Sequence, residues 1–312
     1  TDGTALHIVY SGATNGWIPT LDKTVADVPS KGNTEGIFGF GSGYTAVTNL
    51  VSNTGVVSSD VAGVGTARSY LAACEYGGDK GIFGFGTDGS VTAVTNLVSN
   101  TGVVSSDVAG VGTARAELPA ACEYGGDKGI FGYGYDGSNT AVTNLVSNTG
   151  VVSSDVAGVG TARAHIAACE YGGDKGIFGY GSGYSAVTNL VSNTGVVASD
   201  QAATTGTARG DLAACSYGED KGIFGYGAAP GNLSMTNLVS NAGVVSSDVA
   251  GVGTARGYLA ACEFGSDKGI FGYGYVSAVS SLTNLVSNTG VVSSDVAGVG
   301  TARNSCAACS FN

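Results

Sequence analysis

Charge is scarce in this sequence. Asp, Glu, Lys and Arg make up 12% of 312 residues, and 13 of them are basic against 24 acidic, a net charge of −11. Binding to nucleic acid or an anionic bilayer needs clustered Lys and Arg, so the composition argues against both partners. Histidine occurs twice, as His7 and His165, in unrelated contexts. A Ser-His-Asp set, a histidine metal cluster or a histidine general base would rest on one residue, and the expectation is no enzyme, no metal and no cofactor. No stretch of 18 apolar residues exists, which argues against membrane insertion by a helix, and no 3.6-residue apolar period appears. The sequence begins at Thr1 without Met or a signal-like run, which reads as a processed or trimmed form.

Glycine, by contrast, is abundant, at 54 residues, and it sits in a repeat. The phrase GIFG begins at Gly36, Gly81, Gly129, Gly176, Gly222 and Gly269, and GTAR ends at Arg68, Arg115, Arg163, Arg209, Arg256 and Arg303, a period of 45 to 48 residues. A period of this size with strand-like content signals a propeller. Within the second copy, YLAACEY (70–76), KGIFGF (80–85), AVTNLVS (93–99) and GVVSS (102–106) read as four strands, with Asn100-Thr101-Gly102 as a hairpin turn. The Ala-rich first strand is assigned innermost, where sheets converge, and Pro119 in one copy suits an edge strand. The first copy lacks that strand and the chain ends on a spare one, NSCAACSFN (304–312), so the two ends complete one blade. The expected fold is all-β: a six-bladed β-propeller of four-stranded antiparallel blades over residues 36–312, closed by the C-terminal innermost strand. Residues 1–35 form a leader, with ALHIVY as a strand and WIPT extended.

Six cysteines, Cys74, Cys122, Cys169, Cys215, Cys262 and Cys309, occupy one repeat position and read as buried thiols one repeat apart, too far for disulfides. Cys306 and Cys309 make a CxxC with no second pair to complete a zinc site. The pairs Asp60 and Arg68, Asp107 and Arg115, Asp155 and Arg163, Asp200 and Arg209, Asp248 and Arg256, and Asp295 and Arg303 read as structural Asp–Arg pairs fixing the linking segments.

Because the copies are near-identical, their differences mark what the scaffold does not dictate. They concentrate in the loop after the second strand and in the two residues after GTAR, which share one face of an antiparallel blade. The candidate binding residues on this variable face are Tyr44, Tyr70, Asp88, Tyr135, Asp136, His165, Tyr184, Asn232, Tyr258 and Tyr275, a polar-aromatic set.

The order of Arg, Ala-rich strand, turn, IFGFG, loop, TN and hairpin resembles a Kelch repeat. TNLVSNTGVVSSDVAGVGTAR with GIFGYG, together with the leader phrase IVYSGATNGWIPT, is similar to repeat-bearing structural proteins of tailed, particularly marine, bacteriophages. This resemblance implies a virion or tail-fibre component, located on the virion or extracellularly. It would bind host surface glycan or protein, or other virion proteins through the leader, and a homo-oligomer is compatible. The expected function is therefore a non-enzymatic binding or structural module. The alternatives are a purely architectural assembly protein and a carbohydrate-active propeller enzyme using Glu117 and Asp211.

Overall fold

The computed structural model describes residues 8–10, 17–19, 34–202 and 206–311. The chain divides into two compact units, Thr1–Lys31 and Gly32–Asn312. In the first unit Ile8–Tyr10 pairs antiparallel with Trp17–Pro19, Val9 opposite Ile18. His7 lies outside the described residues.

The described part of the second unit contains strands and no helix, arranged as six repeated three-stranded antiparallel sheets in a propeller-like fold. The innermost strands are Ala72–Tyr76, Ala120–Tyr124, Ala167–Tyr171, Ala213–Tyr217, Ala260–Phe264 and Ala307–Phe311. Each carries Ala-Ala-Cys where neighbouring sheets approach most closely, as the small side chains require. Pro119 falls just before its strand and so removes no ladder hydrogen bond. Consecutive inner strands lie side by side, and the last lies beside the first, Ala72–Tyr76. The C-terminal strand pairs with Glu35–Gly41, Cys309 opposite Ile37, so the two ends of the chain share one sheet as the sequence implied.

The sheets interlock through glycine. A Cβ on Gly129 would come 2.6 Å from Cys74 Sγ of the preceding sheet, and one on Gly84 would meet the tip of Phe131 at 2.8 Å. The same approaches recur around the ring, which gives the cysteines a packing role and leaves all seven as free, buried thiols. Edge-to-face aromatic pairs such as Phe85 with Phe131, centroids 5.1 Å apart, cross every interface. An almost fully buried guanidinium lies over one ring of each pair, Arg115 being 4.0 Å from the Phe85 centroid.

The expected fourth strand is not formed as a strand. Val104 and Val108 make isolated bridges to Val98 and Thr95, and between them side chains enter the ladder. Ser105 Oγ accepts the Leu97 N–H at 2.9 Å, and Asn96 Nδ2 donates to the Ser105 carbonyl and to Asp107 Oδ1. Backbone bonds from Ser105 to Leu97 and between Val108 and Thr95, together with the polar side chains of the TN and SSD phrases, thus hold the outer segment where a continuous backbone ladder was expected.

The six aspartates also act differently from the expected pairs. Asp107 accepts from the backbone N–H and the hydroxyl of Thr66 in the preceding repeat, the latter at 2.6 Å, and Asp60 does the same for Thr301. Direct approach to a guanidinium is long where it occurs, 4.0 Å from Arg256 Nη1 to Asp295 Oδ1, again in the preceding repeat. The arginines instead satisfy carbonyls: Arg163 donates to Tyr180 O, Thr161 O and Asn189 Oδ1. A guanidinium with three acceptors at a site excluding water has little use for a carboxylate, which is better placed capping free N–H groups.

Candidate axial binding site

At the inner end of each sheet, on the variable face, one residue takes a left-handed conformation. These are Tyr70, Glu117, His165, Asp211, Tyr258 and Ser305, with φ between 51° and 58°. This region is unfavourable for residues other than glycine, Asn and Asp. The structure explains the conformation in five of the six: it turns the N–H toward the carbonyl of the residue before it in the ring. Tyr258 donates to Asp211 at 2.8 Å, Ser305 to Tyr258 at 2.9 Å and Tyr70 to Ser305 at 2.9 Å, with matching bonds from His165 and Asp211. A belt of five backbone hydrogen bonds thereby runs round the axis from Glu117 to Tyr70, and its side chains converge on one mouth.

The convergence is chemical as well as geometric. His165 Nδ1 lies 2.7 Å from Asp211 Oδ1 and His165 Nε2 lies 3.5 Å from Glu117 Oε2, so the imidazole stands between two carboxylates. The 2.7 Å approach is an ion-pair contact without the alignment of a hydrogen bond, and it leaves both buried atoms formally unpartnered. Tyr258 packs edge-on against both His165 and Tyr70, with centroids 6.0 and 6.3 Å apart. Burial opposes protonation of His165, but Asp211 and then Glu117 outweigh it and raise its pKa. The Tyr258 phenol is pushed up to about 12 by burial, then by Asp211 and Tyr70. Beneath the mouth, Leu71, Leu118, Ile166, Leu212, Leu259 and Cys306 line an apolar constriction.

The remaining candidates form an outer group on the same face. The short bridges Ser69 to Thr87 and Gly257 to Tyr275 place the two variable segments together, as the antiparallel argument required. Tyr44, Tyr184 and Tyr275 are exposed, while Tyr135 is half-buried. Asp88 and Asp136 are exposed and accept from the N–H two residues on, which makes them turn residues. Asn232 is committed to structure, donating to the carbonyls of Tyr275 and Val276 in the adjacent sheet. The structure therefore separates Tyr70, His165 and Tyr258, which meet at the axis, from the loop residues, which do not join them. Glu117 and Asp211 belong with the axial group and were missing from the binding set. Their repeat position, equivalent to that of Tyr70, was the signal.

A second ring escaped sequence reasoning. Near the opposite end of the axis Glu75, Glu123, Glu170, Ser216 and Glu263 line a narrow cavity, and Ser310 holds the sixth equivalent position. Ser310 donates its backbone N–H to Glu75 Oε1 at 2.8 Å, and Ser216 Oγ donates to Glu263 Oε2 at 3.0 Å. Burial, reinforced by neighbouring glutamates, raises Glu123 and Glu263 well above the usual carboxylate range. The residue after AAC, Glu in four copies and Ser in two, carries no signal of this placement.

No protein-family model and no curated protein matches the chain. Chains of solved structures do match. One is a fungal alcohol oxidase of the AA5 family, in complex with copper, at a TM-score of 0.53 and 15% identity, covering 83% of this chain and 60% of that one. The likeness is one of fold, and this chain spans less than two thirds of that protein. It corrects the expectation of no enzyme, because a catalyst uses this fold. A copper site does not fit the residues present: among the described residues no group of three or more His, Cys, Asp and Glu is placed to hold a metal ion, and both nitrogens of His165 already face carboxylates.

Proposed function

We propose that the chain is a Kelch-like, six-bladed propeller whose axial mouth recognises a glycan on a host surface, as part of a phage virion or tail fibre. The observation that carries the binding reading is the axial ring. Six nearly identical repeats place Tyr, Glu, His, Asp, Tyr and Ser at one position, and the scaffold brings them into mutual contact. Aromatic faces beside hydrogen-bonding carboxylates suit a polyhydroxylated ring, which offers C–H faces and hydroxyls together. The virion setting rests on the wording of the repeats and of IVYSGATNGWIPT, and attachment would fall to the leader. In a glycan-array assay, Tyr258→Ala should abolish binding that Lys128→Ala, on the opposite face, leaves intact. Equal binding by both variants would rule out the axial mouth.

One observation favours a second reading, a carbohydrate-active enzyme. With His165 bridging them, Glu117 and Asp211 lie within roughly 8 Å, inside the spacing of about 5 to 10 Å at which paired carboxylates cleave glycosidic bonds. Reducing-end release from a bound glycan, lost in Glu117→Gln, would establish this reading.

A further inference from the structure

We propose that the group received at the axial mouth is an ammonium, a permanently or readily protonated amine carried by the glycan, held by the carboxylates of Glu117 and Asp211 against the rings of Tyr70 and Tyr258. This rests on the axial mouth being the binding site and adds the charge of its ligand. Two independent observations support it.

The first is the composition of the mouth. Two carboxylates and two tyrosine rings surround one imidazole, and cations are attracted both to carboxylates and to aromatic faces. The Glu117 side chain is 46% exposed, so its charge is available to an incoming group.

The second is how the chain distributes its cations. Among the described residues the six arginines are at most 1% exposed, enclosed between the sheets and out of reach of a ligand. The five described lysines sit at the start of the middle strands, at the opposite end of the sheets, each against the aspartate before it. Apart from His165, the accessible charges of the described residues on the mouth face are therefore negative, Glu117, Asp88 and Asp136, with Asp211 largely enclosed behind His165. A face so polarised steers cations in and anions away. His165 is the internal competitor. When it takes a proton it offsets one of the two negative charges that flank it, with Tyr258 and Tyr70 the other titratable groups in contact.

The test uses N,N,N-trimethyl chitotetraose, whose charge does not change with pH, beside N-acetyl chitotetraose, with calorimetry on the full chain. At pH 8 the trimethylated sugar should bind at least about tenfold more tightly than the acetylated one, and Glu117→Gln should remove about that factor while its melting temperature is unchanged. Binding of the trimethylated sugar should weaken at pH 5.5, where His165 is protonated, and His165→Gln should remove that pH dependence. Equal binding of the two sugars overturns the ammonium assignment while leaving glycan recognition standing. Binding of neither overturns it as well, with the array result then deciding the broader reading. Binding of trimethyl-lysine peptides in preference to the sugar overturns the glycan as carrier.

Discussion

At the scale of single residues, the two axial rings show how two positions of one repeat are used for opposite purposes. In the upper ring the side chains face an open mouth, and their differences from copy to copy are visible in the sequence as the pair after GTAR. In the lower ring the glutamates are enclosed, and nothing in AACEY signals that their charges face one another across an axis. Glu123 keeps its proton to higher pH because burial, and then Glu170 and Glu75, disfavour the charged form. The folded chain thus holds a proton that the unfolded chain releases near the ordinary value of about 4.3. The resulting stabilisation is complete below that value and is lost as pH rises through the raised folded value. Glu123→Gln should therefore stabilise the protein at pH 8 by roughly 1–3 kcal/mol and leave it unchanged at pH 4. Thermal melts at the two pH values check this, and a lower melting temperature at pH 8 would show that the carboxylate is satisfied in its charged form.

At the scale of elements, strand periodicity and turn chemistry were legible, and side-chain substitution for backbone was not. The inner and middle strands and the turn at Gly102, with φ of 72°, follow directly from AAC, GIFG and SNTG. The outer segment differs from the expectation because VVSS has strand composition, while Ser105 and Asn96 of the same repeat place side-chain bonds in the ladder, which strand composition does not signal. The Asp–Arg proximity in sequence likewise concealed a link to the previous repeat, from Asp107 to Thr66. That link predicts its own cost. Asp107→Ala strands the Thr66 N–H and hydroxyl and the Asn96 amide, and should destabilise the protein by about 1–3 kcal/mol in denaturant melts. Arg115→Lys, in contrast, tests packing, because it removes the guanidinium plane over Phe85. If Asp107→Ala is neutral, the clamp does not hold the linking segment.

At the scale of the whole second unit, closure of the ring is the property on which the site depends. The belt of hydrogen bonds at the mouth passes from Tyr258 through Ser305 to Tyr70, so it crosses the point where the end of the chain meets its beginning. Deleting residues 304–312 removes that crossing, strips the inner strand from Glu35–Gly41, and takes Phe311 away from Gly102 and Cys309 away from Gly81. An exposed strand edge and an open apolar interface result, and both promote association between chains. The truncated protein should lose its single cooperative melt and elute as larger species in size-exclusion chromatography, and a synthetic peptide of residues 304–312 added in trans should restore the melt in part. Closure also explains how a repeat with so little charge is fastened by packing and by the Asp–Thr clamps alone. Each interface is the same interlock of glycine with thiol and phenyl, and a ring has no terminal interface to leave uncovered. An unchanged melt after the deletion would mean that five interfaces suffice and that the sixth serves the mouth alone. In that case the truncation should still abolish glycan binding.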